Sequence, residues 1–428
     1  MRNSVIALLI AGTCIALDAQ AVDLLQIYQQ ALVNDAQYAS ARAALRAGQE
    51  ALPQARAGLL PSVGLSGGSS RTEIEDMRTV NGSSYSLALT QPLFRWANWQ
   101  QYEQGKLAVA LSEAQFAQTR QDLILRVSQA YFDVLAAQDT IGFVQAQKSA
   151  ITEQLESAKR NFEVGTATIT DTHEAQARFD LAVALEYAAQ SDLEIKRAAL
   201  QQIIGSTPGE LARLKTGTVL DAPQPARIDQ WVESAEQQNY AVVGSRIGLE
   251  IAHRDIAKNR AGHYPSVDLV ASRNHTNQNT SNSVAGNTNV IGVQWSIPLF
   301  AGFAVDSRVR EAIALEDKAR NDLETARRGA AQGARQSYLG VTSGLAQVKA
   351  LEAAEVSSLS ALDANKLGYQ VGVRINIDVL NAQQQLFSTR KDLARARYDT
   401  IVNGLRLKSA AGTLQEQDLQ LVNGLLTR

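Results

Sequence analysis

Cysteine is nearly missing from this chain, with Cys14 alone in 428 residues. It falls inside an N-terminal apolar run, so a protein cleaved after that run holds no cysteine and forms no disulfide. Histidine is scarce as well: His173, His253, His263 and His275 sit in unrelated contexts, none with a partner at metal-ligand spacing. There is no phosphate-cradling glycine loop and no nucleophile elbow. No catalytic or cofactor constellation remains, so an enzyme is not expected and neither is a cofactor or metal. The net charge of −2 gives no electrostatic case for nucleic acid. After the N-terminus no run of about 20 apolar residues exists to make a helical membrane span. Aromatics are 6% and charged residues 20%, with alanine, glutamine and leucine prominent, which suits long, closely packed helices.

Residues 1–21 read as a signal peptide. Arg2 supplies the positive start, Val5 to Leu17 the apolar run, and Ala19-Gln20-Ala21 a small-x-small cleavage site. A membrane anchor is disfavoured because the run is too short to cross a bilayer. Ala11-Gly12-Thr13 before Cys14 makes a poor lipobox, which disfavours acylation.

The remainder is organised around a long helical stretch, Phe94 to Ile204, interrupted once at Val164 to Asp171. Apolar residues recur at mixed threes and fours (Val127, Tyr131, Val134, then Ile151, Leu155, Ala158, Phe162), the spacing of a coiled-coil seam. Gly165 is placed to end the first helix. Asp171 is expected to start the next, with Glu174 completing a capping box. At 1.5 Å per residue, the roughly 70 residues before the turn span about 100 Å, more than a globular core needs.

Residues 23–57 are expected to be helical, with Pro53 kinking the end. After Pro61, Val63 and Leu65 alternate with Ser62, Gly64 and Ser66; later Tyr85, Leu87 and Leu89 alternate with Ser86, Ala88 and Thr90. Period-two alternation predicts two strands, at about 62–74 and 83–93, joined by a polar connection from Glu75 to Ser83. The hairpin of helices follows over about 94–204. A Gly- and Pro-rich connector occupies 205–228.

Then the chain repeats. Pro61 matches Pro265 at an offset of 204, Pro92 matches Pro298 at 206, and Val164-Gly165 and Gly205 match Val371-Gly372 and Gly412 at 207. The second repeat, 229–428, predicts a helix over 229–261, strands at about 266–275 and 289–299, a hairpin over about 300–411 and a C-terminal segment 412–428. The asparagine-rich stretch Asn274 to Asn289 reads as a mobile surface loop. Two copies are too few for a solenoid, so one architecture is built twice.

Four alternating strands of about 10 residues have the length of tilted outer-membrane strands but are too few to close a barrel, which needs about eight. Two chains would supply eight strands and three would supply twelve; twelve leave a lumen. A soluble sandwich uses similar strands and stays an alternative. Phe94, Trp96 and Trp99, with Trp295, Phe300 and Phe303, cluster at strand-to-helix borders. They suit either a membrane-interface girdle or a packed domain junction. At the second turn Tyr369, Arg374, Asp378 and Asn381 form a dense polar group. Asp378 and Asn381, three apart, share one helix face, and a symmetric assembly would turn that pair into a ring of the kind that selects cations.

With these motifs in place, the sequence resembles the TolC family of outer-membrane efflux and type I secretion channels. The resemblance runs from Asp23-Leu24-Leu25-Gln26-Ile27-Tyr28 to Gly412-Thr413-Leu414-Gln415, and is most specific at the turns Val164 to Asp171 and Val371 to Leu380. It implies an α+β membrane protein: a homotrimer with a twelve-stranded β-barrel in outer-membrane lipid, continued by a periplasmic α-helical coiled-coil barrel. The implied partners are a periplasmic adaptor (membrane fusion) protein and an inner-membrane pump or ABC transporter, met at the hairpin turns Gly165, Thr166, Gly372 and Val373. Motif by motif, Asp171, Thr170, Tyr369 and Arg374 would link the closed inner end, with Gln154 at a further linking position. Asp378 would line the pore constriction. Two residues depart from the pattern of the best-known members: Asn381 replaces a second ring aspartate, and Lys366 stands where Gln154 would have an acidic partner. The competing function is a periplasmic coiled-coil adaptor, disfavoured by two hairpins and membrane-like strands.

Overall fold

The computed structural model describes residues 21–73, 80–277 and 285–427. The expected signal peptide up to residue 20, including Cys14, and the middles of both strand-to-strand connections lie outside the described residues. In chain order the elements are helices α1 (Leu24–Asn34), α2 (Ala36–Gln49) and α3 (Ala51–Ala57), strands β1 (Ser62–Thr72) and β2 (Val80–Phe94), and helices α4 (Trp96–Glu163) and α5 (Ile169–Ile204). The second repeat gives α6 (Ile228–Gln238), α7 (Tyr240–Arg260), β3 (Ser266–Thr276), β4 (Gly286–Ser296), α8 (Ala304–Gln370), α9 (Asn376–Ala410) and the short α10 (Glu416–Asn423).

Each helix expected before the strands is broken where an acidic or amide side chain caps a new start. Asp35 accepts from the Tyr38 amide at 2.6 Å and so divides α1 from α2. Asn239, 204 residues later, accepts from the Ala241 amide at 2.9 Å and divides α6 from α7. Such a cap satisfies amides that a helix start leaves bare. The interruption expected from Pro53 falls just before it, at Glu50: Pro53 has no N–H for the Gln49 carbonyl four residues back, and it sits in the first turn of α3.

All four strands form one antiparallel sheet in the order β1-β2-β3-β4, so the two repeats meet at the β2–β3 pairing. The register sets Val63 opposite Leu89, Leu65 opposite Leu87, Leu89 opposite Ala271, Leu269 opposite Val293, and Val267 opposite Trp295. Side chains two apart share a face, so these residues form one apolar band across the sheet. The other face is mostly polar, carrying Ser62, Gly64, Ser66, Ser86, Thr90, Ser272 and Gln294, with Ala88, Val270 and Val290 among them. The apolar band is bare in the protomer: Leu65 is 74% exposed, Ile291 79% and Trp295 69%. A soluble sandwich would bury it.

Several boundaries differ from the sequence reading: β1 stops at Thr72, not 74, and β2 starts at Val80, not 83, so Val80 to Ser83 of the expected polar connection are strand. β4 spans Gly286–Ser296, not 289–299, and Leu299 beyond it stands exposed. Asn274 to Asn289 is not all loop, since Asn274 to Thr276 pair with Gly286 to Thr288 as strand. A strand's extent is decided by its partner, and β3 supplies paired groups that far.

α4 packs antiparallel along α5, and α8 along α9. At 68 residues α4 is about 100 Å long. The main core lies partway along, not at the tips. There Leu24, Ile27 and Tyr28 of α1, Tyr131 and Phe132 of α4, Leu200 and Ile204 of α5, Leu405 of α9 and Leu419 of α10 pack together. The buried Tyr131 hydroxyl donates to the Ala212 carbonyl at 2.8 Å, pinning the connector to α4. Elsewhere thin seams rich in alanine (Ala158, Ala175, Ala182, with Ile151 and Leu155) hold the hairpins together, as close helix approach demands. At the sheet's base Arg95 grips Asp268 with two bonds, of 2.8 and 2.6 Å, joining β3 to the start of α4.

Candidate functional site: the hairpin tips

Both hairpins turn in the same way. Gly165 takes φ 78° and Gly372 φ 79°, a left-handed conformation that costs glycine little. In the first turn Thr166 N–H bonds Asn161 C=O at 2.8 Å and Gly165 N–H bonds Phe162 C=O at 3.0 Å. In the second, Val373 N–H bonds Gly368 C=O at 2.8 Å and Gly372 N–H bonds Tyr369 C=O at 3.1 Å. These paired bonds are the Schellman motif, which satisfies the last helical carbonyls.

The starts of the following helices differ. Thr168, not Asp171, is the N-cap of α5, and Asp171 closes the capping box from three residues on: its Oδ2 accepts from Thr168 N–H at 2.9 Å and from Thr168 Oγ1 at 2.7 Å. Glu174 plays no part in that box. Both spacings fit the motif, and the one nearer the glycine stop is used because it shortens the turn. In the second repeat the equivalent pair is Ile375 and Asp378. Ile375 offers no side-chain oxygen, and the Asp378 carboxylate instead lies 3.6 Å from Arg374.

The other expected site residues divide into those the fold brings together and those it does not. The Tyr369 hydroxyl accepts from Asn161 Nδ2 at 3.1 Å, bridging the two hairpins. Gln154 Nε2 donates to Asn376 Oδ1, again across hairpins. Asp171, Tyr369 and Arg374 thus each have another partner within the protomer. Thr170 and Lys366 are exposed. Asn381 accepts from Arg178 of α5 at 2.9 Å. Sequence reasoning missed Arg178, Asn161 and Asn376. A signal for Arg178 existed: it follows Asp171 by seven residues and so shares its helix face. Around the tips Val164, Val371, Val373 and Ile375 are exposed apolar side chains. Among the described residues no cluster of histidine, cysteine, aspartate or glutamate could hold a metal ion.

The border aromatics Phe94, Trp96, Trp99, Trp295, Phe300 and Phe303 are all exposed in the protomer. A family described as "Outer membrane efflux protein" matches residues 27–206 and 231–413, both repeats. The chain belongs to this family. "Outer membrane protein TolC" of Vibrio cholerae is 36% identical over 411 residues, covering 94% of this chain and 93% of that protein. "Alkaline protease secretion protein AprF" of Pseudomonas aeruginosa is 32% identical over 420 residues, covering 95% and 87%. The CmeC outer membrane channel of Campylobacter jejuni shares the fold, with a TM-score of 0.81 at 17% identity over 95% of this chain and 90% of that one. This outer membrane efflux protein is an exit duct in the Gram-negative outer membrane with a periplasmic extension, and its fold is the α+β channel-tunnel. Family members are channel proteins rather than enzymes, and the periplasmic-adaptor alternative falls.

Proposed function

We propose that three copies of the chain close a twelve-stranded barrel and that their hairpins form one continuous tunnel, through which an inner-membrane pump or ABC transporter expels cargo by way of a periplasmic adaptor. The observation that carries this reading is the sheet. It has an exposed apolar face, a mostly polar opposite face, and two unpaired edges at β1 and β4. Open edges in lipid leave backbone groups unsatisfied, so a membrane-spanning sheet must close. Neighbouring copies supply the missing strands.

The tips are the working end. Val164, Val371, Val373 and Ile375 around Gly165, Thr166 and Gly372 offer an apolar surface to the adaptor, consistent with their exposure. Asp378 and Asn381 line the constriction. In the closed assembly Asp171 and Thr170 link with Tyr369 and Arg374, while Gln154 and Lys366 stand at the adjoining subunit contacts. Closing replaces the contacts that Thr168, Asn161 and Asp378 make with Asp171, Tyr369 and Arg374 in the protomer. The duct itself catalyses nothing and is driven by its partners. Planar-bilayer recording tests the reading: the purified protein should conduct ions, and a protein that never forms conducting events is no duct.

A further inference from the structure

Arg178 is a charged residue at the tips that an acidic pore does not use. It stands on α5, and its guanidinium reaches across to the other hairpin: Nη1 donates to Gln384 Oε1 at 2.6 Å and Nη2 to Asn381 Oδ1 at 2.9 Å. Asp378, Asn381 and Gln384 follow one another at three-residue steps along α9, so the face that carries Asp378 also binds Arg178. Both acceptors are neutral amide oxygens, and the positive charge is left uncompensated by them. Arg374 adds a second positive charge 3.6 Å from Asp378.

We propose that Arg178 is a selectivity-determining residue that offsets the negative charge of the constriction. Per protomer, Arg178 and Arg374 offset two of the three carboxylates of Asp171, Glu174 and Asp378, so the ring formed by three copies keeps only a small negative charge from these positions. The bidentate geometry fixes the charge at the level of Asn381. A lysine there would keep the charge without the fork. The duct therefore prefers small cations only weakly and binds Mg²⁺ poorly at its inner end. The inference rests on the reading of Asp378 and Asn381 as the constriction.

The test uses the full-length protein in planar bilayers, with reversal potentials in a KCl gradient and block by Mg²⁺ added at the hairpin-tip side. Arg178→Gln should raise cation preference and tighten Mg²⁺ block about tenfold, as expected for removing a unit charge close to a divalent ion in a partly dry pore. Arg178→Lys should stay near wild type, and Asp378→Asn should move selectivity toward anions. If Asp378→Asn changes nothing, the constriction is elsewhere and the inference fails with that reading. If Asp378→Asn acts but Arg178→Gln leaves selectivity unchanged, the charge role of Arg178 alone is overturned. A lysine variant that behaves like the glutamine variant also overturns it, because geometry and not charge is then what matters.

Discussion

Asp171 and Thr168 hold each other in a reciprocal capping box, through carboxylate contacts of 2.7 and 2.9 Å to Thr168 Oγ1 and N–H. The carboxylate proposed to hold the duct shut therefore already has a partner within its own turn. Links from Asp171 to Tyr369 and Arg374 must be modest in strength, since exposed pairs of this kind contribute about 1 kcal/mol or less each. Tyr369→Phe combined with Arg374→Ser should raise single-channel conductance more than either change alone. Conductance at the wild-type value in the double variant would refute the assignment.

In the proposed constriction Asn381 takes the place of a second carboxylate ring, and it keeps an oxygen there without a charge. Wild-type protein should show cation preference with weak block by multivalent cations. Asn381→Asp should strengthen block, but only in part, because Arg178 Nη2 at 2.9 Å from the present oxygen would pair with the new carboxylate. Removing Arg178 in that background should release the full effect. Equal block in wild type and Asn381→Asp, measured from the hairpin-tip side, would place Asn381 off the ion path.

Away from the tips, Asp35 anchors the start of α2 with its side chain nearly buried. Burial raises its carboxyl pKa, but two 3.0 Å bonds from Arg126 and the bond from the Tyr38 amide outweigh this and leave it below its ordinary 3.8. A carboxyl lowered on folding stabilises the fold at pH above its unfolded value of 3.8, and that contribution is lost as pH falls through the lowered value. Arg126→Ala leaves the buried carboxylate half-satisfied, at a cost of about 3 kcal/mol. The apparent Tm in detergent should drop at neutral pH, and the deficit should shrink below about pH 4 as Asp35 takes up a proton. An equal deficit at both pH values would contradict this.

The duplicated architecture was legible because its signals are local: prolines at the strand borders, glycines at the turns, period-two and heptad-like spacing between them. Which cap is used was harder, since Thr168-x-x-Asp171 and Asp171-x-x-Glu174 both satisfy the motif and only the folded turn chooses. Asp35 and Asn239 escaped notice because one capping residue inside a helical pattern looks like any polar surface position. Helix α10, within the C-terminal segment, is short enough that its period is hidden, and its place is set by Leu419 entering the core. The end of β4 depends on β3, and the Arg178–Asn381 and Gln154–Asn376 contacts join residues about 200 apart. Such pairings follow from how the two hairpins lie together, which no single stretch records.

Four strands with an exposed apolar face and two open edges are the centre of the proposed architecture, so the number of chains in the detergent-extracted protein tests it most directly. Native mass spectrometry should give a trimer, because three copies supply twelve strands and a lumen. A stable monomer or dimer would contradict the trimeric barrel and the tunnel built on it.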